Sequence, residues 1–161
     1  MNPMSMLLGL APWFVFAFVA ERLGADHVAI AALAACALAL AITLYGVVRG
    51  TGWKILDVAG VILFGVIAVV GFAGGPGVDA ALVFFGRGGS AFVLAAVMAV
   101  SAFTVPFTEQ YARETVDPQY WGSPIFRAKN RQISLLWAGA VALMGCAHAV
   151  SYTHLRAHET E

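Results

Sequence analysis

Ionisable side chains are scarce enough in this sequence to be weighed one at a time. Glu109, Glu114 and Asp117 stand close together in one polar stretch. Paired carboxylates are what general acid/base chemistry or a hard metal ion needs, but no histidine or cysteine accompanies them and each has a cationic neighbour. The expectation is no catalytic, cofactor-binding or metal-ligating residue among them. His154 and His158 have the i, i+4 spacing that puts two imidazoles on one helix face, yet two are too few for a closed structural metal site. Cys36 and Cys146 lie inside apolar runs and read as small buried hydrophobes. Asp57, Asp79 and Arg87 are more informative, because an ionisable group at membrane depth marks a function by default. Two readings stay open for them: interfacial groups flanking helices, as Asp26, His27 and His148 also read, or a polar cavity shared by Asp57, Asp79 and Arg87, as in a small transporter.

The elements that must position these groups are apolar. Of 161 residues, 61% are hydrophobic and 11% charged, against about 45–50% and about 25% in soluble domains. A chain this short cannot hide so much apolar surface from water, so its solvent is lipid, and runs of roughly 20 apolar residues span it as helices. Five spans are expected, over residues 6–20, 28–48, 55–74, 90–107 and 132–149, in an all-α transmembrane bundle. Pro12 is placed to kink the first. Asp57 falls in the first turn of the third, where the helix dipole favours a carboxylate. Residues 78–89, "VDAALVFFGRGG", are too short to span and are bounded by glycine, which suggests an interfacial or re-entrant segment before the fourth. Gly60, Gly65 and the alanine-rich second span are suited to close helix packing. The net charge of zero implies no field for nucleic acid. No cleavable leader is evident in "MNPMSMLLGL", so the first span is expected to stay as an anchor.

Basic residues orient the bundle. With the N-terminus inside, the inner loops carry Arg49, Lys54, Arg113, Arg127, Lys129 and Arg131, and the outer ones only Arg22 and Arg87. The long loop at residues 108–131 is then cytoplasmic. Asp117-Pro118 and Ser123-Pro124 each pair an N-cap side chain with proline at the first helical position, predicting helix, turn, short helix, turn and then the last span. Glu109 and Arg113 support the first helix at i, i+4. Tyr111, Tyr120, Trp121 and Phe126 are expected at headgroup level. Glu109, Tyr111, Arg113, Tyr120, Trp121 and Arg127 together form the candidate interaction surface.

Two resemblances can be added. The order of "LAPWFVFAFVAERLGADHVAIAALAAC", a basic loop and "WKILDVAGVILFGVIAVVGF" resembles the bacterial intracellular septation protein A group over residues 5 to 105. That likeness implies a small polytopic inner-membrane protein with about five spans, linked to division and envelope maintenance, and supplies no active residues. The chain departs from the group at Arg87-Gly88, where a basic residue followed by proline is expected. The loop "PFTEQYARETVDPQYWGSPIFRAKN" also lies outside that pattern, and is similar to bacterial membrane proteins in which the same string precedes the last span. Residues 150–161 are a different matter. Val150 to Thr160 resembles the translated transposase adapter of sequencing libraries, and residues 1–149 are read as the protein. Without that tail, eight basic and seven acidic side chains remain.

The function expected from the sequence is therefore a structural or interaction role in the bacterial inner membrane, without catalysis. The expected partners are the lipid bilayer, a second copy of the chain as homodimer, or other envelope membrane proteins. A small-solute permease working as a homo-oligomer is the second reading.

Overall fold

Backbone amides in hydrocarbon have no water to bond with, so a chain of this composition closes its hydrogen bonds within helices. The computed structural model describes residues 3–23, 27–74, 78, 81–82 and 88–158, with no strand among them. Its helices among these residues are α1 (Pro3–Leu23), α2 (Val28–Val48), α3 (Ile55–Ala73), α4 (Ser90–Ser101), α5 (Phe107–Ala112) and α6 (Pro124–His158), with a 3₁₀ turn at Pro118–Tyr120. Pro3–Arg22, Val28–Val48, Ile55–Ala73 and Pro124–Val150 are long and apolar enough to cross a bilayer, and Ser90–Ser101 is a shorter apolar helix. The architecture is the expected all-α bundle of about five apolar helices.

Boundaries differ where polar side chains intervene. Pro12 sits fully buried inside α1, which runs through it. In place of a span over residues 90–107, α4 ends at Ser101 and the chain turns into α5. Pro106 has no amide to continue a helix, while the Ser101 hydroxyl donates to the Met98 carbonyl at 2.7 Å and accepts from the Phe107 amide at 3.2 Å. The last helix starts at Pro124 and not at residue 132. Ser123 Oγ accepts from the Phe126 amide at 3.3 Å, so Arg127, Lys129 and Arg131 ride on its first turns. The proposed re-entrant stretch at residues 78–89 falls largely outside the described residues.

Packing is inverted relative to a water-soluble bundle. The buried faces of α2 and α3 carry Ala31, Ala32, Ala35, Ala39, Gly60 and Ala68, whereas Leu33, Leu40, Leu44, Ile62, Val66 and Val69 face outward. Small residues let backbones approach where burial from water supplies no drive. A Cβ on Gly71 would come within 2.6 Å of Ala29 Cβ, and one on Gly60 within 3.4 Å of Ala39 Cβ. The α2–α3 connection is held by a Schellman motif, in which Gly50 donates to the Val47 carbonyl and Thr51 to Gly46. Gly50 has φ of 76° there, a backbone state that suits glycine. On the other side of α3, Trp13 and Phe16 of α1 close on Phe64, with ring centroids 5.0 and 4.9 Å apart. Helix α6 packs on α4 and α5, and α5 touches α1.

Candidate functional site

The polar stretch that follows α4 folds into the bundle. Helix α5 is too short to be stable alone, and two of its polar side chains, Thr108 and Gln110, bond to other helices. Thr108 Oγ1 donates to the Asn130 carbonyl at 2.9 Å and lies 2.9 Å from Ser134 Oγ, both on α6. The Thr108 amide donates to that same serine oxygen at 3.4 Å. Gln110 Oε1 accepts from the Ile55 amide at 2.8 Å, which satisfies one of the four N–H groups that a helix start leaves open. Lys54, the residue preceding α3, provides no side-chain cap of its own.

A charged layer lies beside these bonds. Lys54 Nζ is 2.5 Å from Glu114 Oε1, with both side chains largely buried. The same ammonium sits 4.6 Å over the Tyr111 ring, a cation–π arrangement that strengthens away from water. Glu109 pairs with Arg113 at 2.6 Å, and Arg113 stacks on Trp121 at 5.0 Å. Trp121 is tied down in turn by its indole N–H to the Val116 carbonyl at 2.8 Å. Asp117 Oδ1 accepts from the Gln119 amide at 3.0 Å, as its pairing with Pro118 suggests.

At the centre of the layer Asp57 of α3 and Tyr111 of α5 meet at Gly9 of α1, and Trp13 lies one turn further along α1 beside Gly60. Asp57 is 3% exposed, Tyr111 0% and Trp13 6%. Gly9 makes room for them: a Cβ there would overlap the Tyr111 hydroxyl and lie 3.2 Å from Asp57 Oδ1. Burial first, then the carboxylates of Asp57 and Glu114, push the Tyr111 phenol well above its ordinary range. It therefore stays protonated, as a hydrogen-bond donor.

The residues singled out from sequence separate by burial. Asp57, Glu109 and Tyr111 are inside the protein, so Tyr111 is a core side chain and not a headgroup anchor; its hydroxyl meets Gly9 and its ring meets Lys54. Arg113 and Trp121 are half-buried, bracing each other. Tyr120 and Arg127 are exposed, alongside Ile125 and Lys129. Asp79 and Arg87, the other members of the proposed polar cavity, lie outside the described residues. Trp13, Lys54, Thr108, Gln110, Asn130 and Ser134 were not among the candidate site residues, Lys54 counting only toward orientation. The only signal for them was polarity at positions of helical spacing, and their partners are far away in the chain. Among the described residues no three His, Cys, Asp or Glu side chains converge as metal ligands would.

The fold and this buried polar layer define a class, a multi-pass membrane protein of apolar helices with an ordered polar cap at one end. Compared with protein-family models, with curated proteins and with solved structures, the chain has no match in any of the three.

Proposed function

We propose that the chain is a bacterial inner-membrane protein with a structural or interaction role in the envelope, with its N-terminus and polar cap in the cytoplasm and no catalytic activity of its own. The observation that carries this reading is the anchoring of one short segment, residues 107–123, to the start of α3 and to α6 through buried polar bonds, with Tyr111 packed against Gly9 of α1. Fixing a loop so thoroughly is costly unless its outer face must hold a shape, because buried ion pairs stabilise little relative to apolar packing. That outer face and the adjoining first turns of α6 present Tyr120, Ile125, Arg127 and Lys129, a mix of aromatic, apolar and cationic groups suited to a partner protein of the envelope or a second copy of the chain. The likeness of residues 5 to 105 to the septation protein A group supports a role in division or envelope maintenance. Six basic side chains on the loops of the cap end support its cytoplasmic placement. Residues 150–161 are read as adapter-derived and carry no part of this function.

The test is a surface variant, Tyr120→Ser with Ile125→Ser and Arg127→Glu. Membrane insertion and melting temperature should be unchanged, since exposed substitutions usually stay within about 0.5 kcal/mol, while partners crosslinked in intact cells should be lost. An unaltered set of crosslinked partners would sink the docking role.

One observation favours the permease as a second reading: Asp57 is a buried carboxylate within an apolar helix, where ionisable groups are retained for ion or solute pathways. In proteoliposomes Asp57→Asn would then abolish flux that the surface variant leaves intact. Absence of solute flux in the wild-type protein removes this reading.

A further inference from the structure

Three side-chain polar atoms on neighbouring turns of the bundle have no hydrogen-bond partner among the described residues: Trp13 Nε1, Asp57 Oδ1 and Tyr111 Oη. All belong to residues more than nine-tenths buried. They arrive from α1, α3 and α5 along a seam where two glycines let the elements approach closely. The Cβ that Gly9 lacks would stand against Tyr111 Oη and Asp57 Oδ1, and the Cβ that Gly60 lacks would stand 3.6 Å from Trp13 Nε1. Gly9 and Trp13 are one turn apart on α1, as are Asp57 and Gly60 on α3, so the polar atoms line a common strip. Buried groups left unpaired in this way are rare in folded proteins and normally signal an occupant.

The chemistry of the three atoms selects that occupant. An indole N–H only donates, a carboxylate oxygen only accepts and a phenol does both. A cation is disfavoured by the Trp13 N–H and by the Lys54 ammonium lying over the Tyr111 ring. An anion is disfavoured by the Asp57 carboxylate and by Glu114, which pairs with Lys54. What remains is a small neutral molecule that accepts one hydrogen bond while donating others. We propose that the junction of Trp13, Asp57 and Tyr111 is a binding site for one water molecule, which accepts from Trp13, donates to Asp57 and bonds the Tyr111 hydroxyl. Three polar partners are what a stable internal water typically has. The water joins α5 to α1 and α3, so the membrane helices and the polar cap are fastened through it.

The test uses the full chain in detergent micelles, labelled with ¹⁵N. The Trp13 indole N–H, assigned by its disappearance in Trp13→Phe, should show a rotating-frame cross-peak to water that weakens in Tyr111→Phe. The Tyr111→Phe protein should melt lower by about 2–4 °C, the shift expected from one lost hydrogen bond in a chain of this size. Combined with Asp57→Asn, its loss should be less than additive, since both substitutions break the same bridge. A Trp13 indole with cross-peaks to protein protons alone would overturn the proposal. So would a Tyr111→Phe protein melting at or above the wild-type temperature, because removing a truly orphaned hydroxyl relieves a cost. Additive losses in the double variant would likewise show that the two groups share no molecule.

Discussion

Gly9 shows how much one absent side chain can decide. It sits in the middle of α1, where glycine costs about 1 kcal/mol relative to alanine, yet a Cβ there would overlap the Tyr111 hydroxyl and press on Asp57. Tyr111 is fully enclosed and has nowhere to move. Gly9→Ala should therefore lower stability by up to about 2 kcal/mol, because overpacking of about 1–3 kcal/mol exceeds the gain in helix propensity of about 1 kcal/mol. Thermal unfolding in micelles measures it, and a more stable Gly9→Ala protein would mean the α1–α5 approach is looser than described. The ion pairs follow the same residue-level logic. Removing Lys54 or Glu114 leaves a mostly buried charge without its partner, which costs far more than the intact pair contributes.

Helix starts and stops are where the elements of this protein depend on one another. Helix α2 ends by local means, with Gly50 in the left-handed conformation closing a Schellman motif. Helix α3 begins by a remote one, the Gln110 side chain bonding the Ile55 amide across 55 residues of sequence. Gln110→Ala should therefore destabilise the protein by about 1 kcal/mol, the usual cost of a lost cap, and hydrogen exchange should speed up at the first turn of α3 as well as in α5. Exchange that changes in α5 alone would show that α3 is capped in some other way. The Thr108, Asn130 and Ser134 bonds hold the opposite side of α5 to α6. Helix α5 is thus a wedge with polar contacts on both sides.

At the scale of the whole molecule, one end differs from everything between. The loop of residues 49–54, helix α5 and the first turns of α6 gather Arg49, Lys54, Arg113, Arg127, Lys129 and Arg131. Lys54 and Arg113 neutralise buried carboxylates. Arg49 and Arg131 lie over Tyr45 and Phe103 at 5.2 and 4.8 Å, and Arg127 and Lys129 are exposed. A reporter fused after Gly122, which is exposed on this end, should give a cytoplasmic signal by the excess of cations. A periplasmic signal would invert the proposed orientation and remove the cytoplasmic docking face with it.

The sequence by itself determined that the protein is helical and lipid-facing, because mean composition and apolar run length act residue by residue and need no partner. It also determined the turns: Asp117-Pro118, Ser123-Pro124 and the Glu109–Arg113 pair are local patterns whose bonds close within a few residues. Only the tertiary structure decided where the polar stretch packs. Tyr111 and Glu109 read as loop surface because their partners, Gly9, Lys54 and Asp57 for the one and a covering of packed helices for the other, are remote in the chain. The shortening of α4 and the early start of α6 were hidden for a similar reason. Serine hydroxyls at 101 and 123 redirect the backbone there, and hydropathy averages over such single atoms. A hydrocarbon solvent makes apolar length legible, whereas long-range polar complementarity exists only once the helices have packed.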